Sequence, residues 1–304
     1  MDQISIAIEK ARNLRREISQ PPHEGGRAGL EPNSKANTAN AGVHAPNAGA
    51  APEITSLQLD PDRLEDSRLV SYSRQHPSHA AFDMLRTKIA HAMASNGWTS
   101  LAVTSPSPGC GKSVVALNLA FSMAHQPDRT VVLVDLDLRS PRLADLVGHK
   151  PEFGFADYLE GRVDLPALYK RASENLILCL NSRAVARSAE WIRSEKIAKL
   201  PARLKETLGA KIVIFDLPPA LTADDVMAFC PYVDCAMLVA ASGRTTAREI
   251  EESEKQLTLT NYLGVVLNKA FGSDIKVYSD STYNKRMIDG VDRAGGPDRE
   301  PQQT

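Results

Sequence analysis

At 304 residues the chain could hold two domains, or one domain with tails. Its 36 basic and 37 acidic residues leave a formal net charge of −1, which gives no whole-chain case for a nucleic-acid partner or an anionic membrane. Cys110, Cys179, Cys230 and Cys235 are scattered without the paired spacing of a zinc site, so they read as reduced thiols in a cytosolic protein.

The first element, residues 1–19, places Ile4, Ile8, Ala11, Leu14 and Ile18 at helical spacing, which predicts an amphipathic helix. Charges run throughout it, unlike a secretory signal. No apolar run approaches the roughly 20 residues that span a bilayer. Residues 20–66 are rich in Pro, Gly, Ala, Asn and Ser and are expected to be a disordered linker.

A compact body is expected over residues 67–272. Apolar, β-rich runs at 100–105, 130–137, 175–181, 211–217, 235–242 and 261–268 alternate with helical patterns that include 112–126, 188–208 and 244–258. Such runs suit strands buried on both faces of a parallel sheet. The alternation predicts a doubly wound, mostly parallel α/β sheet flanked by helices, with ligands at the carboxyl ends of the strands. Residues 273–304 form a polar, flexible tail carrying Tyr278 and Tyr283.

Three segments in the body carry chemistry. Thr104 to Ser113 reads TSPSPGCGKS, close to the phosphate-loop pattern G-x-x-x-x-G-K-[ST] except that Pro106 stands at the leading glycine. Gly109 and Gly111 let backbone amides turn inward, and the helix that follows adds favourable potential for an anion. Lys112 would reach the β- and γ-phosphates, and Ser113 would offer a hydroxyl to Mg²⁺. Further on, VVLVDLDLR puts Asp135 and Asp137 on one side of an extended segment, with Arg139 beyond them, and IVIFDLPP ends a strand on Asp216. A helix N-cap could explain Asp137 or Asp216 singly. Mg²⁺ with a nucleotide accounts for all the acids together.

PGCGKS, VDLDLR and IVIFDLPP together resemble the Walker A, A′ and B motifs of bacterial tyrosine kinases, P-loop NTPases of capsule and exopolysaccharide export. The missing leading glycine and the DxDxR of the second motif are features of that family. The helix-like AAFDMLRTKI (80–89) and the N-terminal segment extend the resemblance to its exosortase-associated, cytoplasmic members. The resemblance implies ATP held by Pro108, Gly109, Cys110, Gly111, Lys112, Ser113 and Val114. It implies Mg²⁺ at Ser113 and Asp216, with Asp135 nearby. Asp135 or Asp137 would be the general base, and Arg139 would steady the carboxylates or phosphate. Tyr278 and Tyr283 would be phosphoacceptors. The implied function is an ATP-dependent tyrosine autokinase that regulates polysaccharide synthesis and export. It would be cytoplasmic and recruited to the membrane's inner face by a chain-length-regulator-type (Wzz-like) activator.

Two departures accompany the resemblance. The family's ring-forming E-x-x-R-x-x-R falls on Ala80, Asp83 and Arg86, so a homo-oligomer is permitted but its ring is not specified. The dense tyrosine cluster is reduced to Tyr278 and Tyr283. Two other readings stay open: an ATP-bound scaffold of the export machinery with little phosphotransfer, and a partition-type P-loop ATPase.

Overall fold

The computed structural model describes residues 54–270, apart from 77, 182, 186 and 187. The N-terminal helix, most of the linker, Tyr278 and Tyr283 lie outside the described residues.

Eight strands form one sheet: β1 (Thr55–Ser56), β2 (Ser100–Thr104), β3 (Val131–Asp135), β4 (Tyr169–Ser173), β5 (Leu176–Cys179), β6 (Ile212–Asp216), β7 (Cys235–Ala241) and β8 (Asn261–Asn268). Their spatial order is β1-β4-β5-β3-β6-β2-β7-β8. Strands β5, β3, β6, β2, β7 and β8 run parallel, and β4 is antiparallel to β5. Every residue of β2, β3, β6 and β7 is buried. Alternate side chains enter two cores. Val132, Val134, Val213 and Phe215 pack on one face, and Val131, Leu133, Ile212 and Ile214 on the other. That is why the sequence shows continuous apolar runs rather than alternation. Each fully buried aliphatic side chain contributes roughly 1.5–3 kcal/mol of transfer free energy.

The helix after β2 covers Lys112–Ala124, within the expected span, and all but one of its residues are buried. The expected helix over 188–208 is three pieces, Ser188–Ile192, Glu195–Ala198 and Leu200–Leu208. Ser194 has extended backbone (φ −70°, ψ 152°), and Pro201 opens the third piece, where a missing N–H does least harm. The last helix is Ala247–Gln256, its start fixed by a capping box between Thr246 and Glu249.

Residues 54–66 depart from the linker expectation. Strand β1 pairs with β4, and a helix over Pro61–Asp66 is capped by Asp60, whose Oδ1 accepts from Asp62 N at 3.1 Å. Leu64 and Leu69 are buried in the core beneath the Lys112–Ala124 helix. Asn118 of that helix fastens the segment further, donating to Arg68 O at 3.0 Å and accepting from Ser71 N at 2.9 Å. A few leucines anchor a stretch whose overall composition is that of a linker.

All four cysteines are free and buried. No helix among the described residues is long and apolar enough to cross a membrane.

Candidate functional site

The carboxyl ends of β2, β3, β6, β7 and β8 converge on the loop 105–111. Gly109 and Gly111 take left-handed backbone (φ 79° and 92°), a conformation that L side chains rarely adopt. Pro106, at the position where the loop pattern has glycine, is buried. Its carbonyl accepts from Leu221 N at 3.2 Å, and the Ser105 carbonyl accepts from Ala220 N at 2.7 Å. The leading part of the loop is therefore bound to the segment after β6 through carbonyls, which proline retains.

Lys112 opens the helix and turns its ammonium to the acids. Nζ lies 2.7 Å from Asp137 Oδ2 and 3.6 Å from Asp216 Oδ1, and donates to Ser113 Oγ at 3.2 Å. Burial works against its charge, but Asp216 and Asp137 more than compensate and hold its proton affinity above the ordinary lysine value. Asp135 and Asp216 are register partners on β3 and β6, so both side chains lie at one end of the sheet. Both are fully buried. Burial raises the Asp135 pKa well above the usual carboxylate range, with Asp216 adding to the shift. Burial also raises Asp216, against the pull of Lys112.

The hydrogen bonding of these acids is uneven. Asp135 Oδ2 accepts from Arg142 N and Leu143 N at 3.2 and 3.1 Å, at the start of the short Leu143–Leu146 helix. Asp137 Oδ1 accepts from Ser140 N at 3.0 Å. The helix-start role considered for Asp137 or Asp216 thus falls to one oxygen of Asp135. Asp135 Oδ1 and both oxygens of Asp216 are buried without a hydrogen-bond partner. Native interiors rarely leave such groups unmatched. Oxygen-rich, partly unsatisfied carboxylates beside a hydroxyl suit a hard cation such as Mg²⁺, which takes one or two carboxylates together with phosphate oxygens and water. Asp216, Asp135 and Ser113 are the residues that fit it.

Arg139 does not join this cluster. Its Nε donates to Ser188 Oγ at 2.9 Å and to buried Asp225 Oδ2 at 3.1 Å, and its Nη2 reaches Asp224 at 3.3 Å. Asp225, which sequence reasoning did not single out, attracts the guanidinium towards the helix Asp225–Phe229. An open groove of about 390 Å³ runs beside it, lined by Arg139, Leu221, Thr222, Asp224 and Met227 among others.

Four further residues missed from sequence close the loop from the far side. Arg244 lies against Gly109, its Nη1 3.0 Å from where a Cβ would stand. The Thr245 hydroxyl is 3.6 Å from Cys110 Sγ. Asn268 Nδ2 donates to Cys110 O at 2.9 Å, and Lys269 Nζ to Gly109 O at 2.8 Å. Arg244 and Thr245 come just after β7, Asn268 ends β8 and Lys269 follows it, and polar residues at the carboxyl end of a parallel strand were the available signal. Burial pushes the Cys110 thiol up, yet hydrogen bonding with Thr245 and Ser107 outweighs it and leaves the pKa below the usual value. Val114 is half-buried and offers no hydroxyl; its carbonyl accepts from Asn118 Nδ2 at 2.9 Å. Pro108 is exposed at the loop's tip.

Comparison with known proteins places this geometry. A family model described as the CobQ/CobB/MinD/ParA nucleotide binding domain matches residues 101–289. A putative tyrosine-protein kinase in the cps region of Klebsiella pneumoniae is 30% identical over 214 residues, covering 68% of this chain and 29% of that protein. The succinoglycan biosynthesis transport protein ExoP of Rhizobium meliloti is 29% identical over 186 residues, covering 59% of this chain and 23% of that one. The chain thus spans less than a third of the length of either relative. Among solved structures, the kinase domain of the Escherichia coli tyrosine kinase ETK superposes with a TM-score of 0.61 at 25% identity, covering 67% of this chain and 80% of that one.

Proposed function

The chain belongs to the CobQ/CobB/MinD/ParA nucleotide-binding family, and within it we propose that it is an ATP-dependent protein-tyrosine kinase that phosphorylates its own tyrosines and regulates capsule or exopolysaccharide synthesis and export. The observation that carries this reading is the cluster of Lys112 with three buried acids, in which Asp216 and one oxygen of Asp135 lack a hydrogen bond of regular geometry. Similarity to proteins named as tyrosine kinases and as a polysaccharide transport protein supplies the choice of reaction and pathway.

In this proposal the amides of 109–114 and the Lys112 ammonium bind the triphosphate of ATP. Ser113 and Asp216, with Asp135, would hold Mg²⁺, which would supply charge neutralisation at the phosphates. When Lys112 turns to the phosphates, Asp137 loses its closest counter-ion. Asp135, whose proton affinity burial and Asp216 raise, and Asp137 are the carboxylates placed to take the tyrosine proton. The phenol oxygen bonds to the γ-phosphorus as the bond to the β–γ bridging oxygen breaks, leaving ADP. A tyrosine can approach along the groove between Arg139 and Met227, where Arg139 is half exposed. Tyr278 and Tyr283 are the acceptors proposed from sequence. A membrane protein of the chain-length-regulator type, through its cytoplasmic tail, would recruit and activate the kinase.

The test is incubation of purified protein with Mg·ATP and that activator tail, followed by phosphotyrosine detection. Signal that disappears in the paired Tyr278→Phe, Tyr283→Phe variant supports the proposal. A folded protein that binds ATP but yields no phosphotyrosine would sink it.

One observation favours the scaffold reading. Arg86 and Asp83, which stand at ring-motif positions, are engaged within the chain. Arg86 Nη1 donates to Asp83 Oδ1 at 2.7 Å and to Ser122 O at 3.1 Å, and Ser122 Oγ donates to the same Asp83 oxygen at 2.6 Å. A nucleotide-switched scaffold would keep ATP binding and show no dependence on the two tail tyrosines.

A further inference from the structure

We propose that Asn268 and Lys269, consecutive residues at the end of β8, are positioning residues that set the phosphate loop in its anion-binding shape. The inference concerns nucleotide binding alone and does not depend on phosphotransfer to tyrosine.

A trans peptide unit is planar, so its carbonyl and the following N–H point in opposite directions. Fixing one fixes the other. Lys269 Nζ holds the Gly109 carbonyl at 2.8 Å, which turns the Cys110 N–H the opposite way. Asn268 Nδ2 holds the Cys110 carbonyl at 2.9 Å, which does the same for the Gly111 N–H. Two successive amides of the loop are thus oriented by two successive residues about 160 positions later in the chain. A concave row of amides of this kind is what binds phosphate.

The brace is itself constrained. Asn268 Oδ1 accepts from Lys269 N at 2.9 Å, which orients the amide so that Nδ2 faces the loop. Lys269 has φ 59°, a left-handed conformation uncommon for a side chain of its kind, and such outliers persist where surrounding structure holds them. Gly111 is matched to the brace: a Cβ there would stand 2.3 Å from Asn268 Nδ2. The backbone of β8 carries the pair to the loop, since Ser242 N, just beyond β7, donates to Asn268 O at 2.8 Å.

The test compares wild type with Asn268→Ala, Lys269→Ala and Lys269→Arg, using full-length protein. Dissociation constants are measured for Mg·ATP and for Mg·tripolyphosphate, which has no base or sugar, beside the melting temperature without ligand. We expect both alanine variants to weaken both ligands by about tenfold, within the range of a hydrogen bond that orders a charged site. Lys269→Arg should recover most of the affinity, and ligand-free melting should stay within about 3 °C of wild type. Tripolyphosphate binding within twofold of wild type in both alanine variants would overturn the proposal, because the residues would then act on the base or sugar. Loss of affinity that only parallels a large drop in ligand-free melting would overturn it as well, since a general packing role would suffice.

Discussion

Replacing Asp216 with asparagine should stabilise the nucleotide-free protein while abolishing its response to nucleotide. Asp216 is fully buried, and no hydrogen bond of regular geometry reaches either oxygen, although Lys112 and the Ser113 hydroxyl stand close enough to favour its charge. Lys112 attracts it, and Asp137 and Asp135 repel it. Lys112 Nζ at 3.6 Å attracts it by about 4–5 kcal/mol at an effective dielectric of about 20. Asp135, its register partner on the adjacent strand, would repel it by about 3–4 kcal/mol were the carboxylates at the strand spacing of about 4.8 Å, and Asp137 adds to that repulsion. These nearly cancel, so the desolvation of an unpartnered carboxylate, about 1–3 kcal/mol, decides the sign. The upward shift of the Asp216 pKa, caused first by burial, has the same sign. Asparagine keeps the shape without the charge, and the ligand-free protein should gain about 1–2 kcal/mol, or ~2–8 °C in Tm. Wild type at about 100 times Kd of Mg·ATP should gain about 2.7 kcal/mol from ligand; the variant should gain none. Calorimetry with and without Mg·ATP reads both effects. A ligand-free variant that melts below wild type would refute the charge argument, and an undiminished nucleotide shift would remove Asp216 from the site.

Lys112→Ala should act in the reverse sense, because it leaves three buried acids without their cation; urea unfolding should show a loss of about 3–5 kcal/mol, together with no nucleotide binding. Asp135 and Asp216 bind a proton more tightly in the folded than in the unfolded chain, so their contribution to stability is present below about pH 4 and is lost as pH rises through their raised values. A melting series from about pH 4.5 to 8 should therefore have a shallower decline in Asp216→Asn. Asp157 contributes oppositely: although burial opposes it, the Gly154 amide and Arg162 lower its pKa, so its contribution is present above about pH 4 and fades on acidification. Gly111→Ala should abolish Mg·ATP binding measured by titration calorimetry, because its Cβ would meet the Asn268 amide at 2.3 Å at a backbone φ of 92°.

The phosphate loop and the acids of β3 and β6 were legible because each lies within a few residues of a strand end, and a strand end is a local signal. Alternating cores on β2, β3 and β6 also leave a local trace, the unbroken apolar run. What escaped depends on distance along the chain. Arg139 turns to Asp225, 86 residues on, and nothing near DLDLR announces that partner. Asn268 and Lys269 look like the polar end of a strand until β8 is placed at the sheet edge beside β7. The 54–66 segment was misread for another reason. Composition averages over the whole stretch, whereas ordering there turns on a few anchors, Leu64 and a two-residue strand among them. The break at Ser194 was legible in principle, since serine and the proline at 201 are ordinary helix-boundary residues.

The strand order bears on how the protein comes into being. Strand β2 carries the phosphate loop, yet its two neighbours in the sheet are β6 and β7, made more than a hundred residues later. At a synthesis rate of about 5–20 residues per second, the loop leaves the ribosome roughly 8–30 s ahead of the β8 end that braces it. A growing chain therefore displays the loop's sequence long before it owns a site. Nucleotide cannot assist the early steps of folding, and a truncated product lacking β8 would compete for ATP without the two contacts that set the loop.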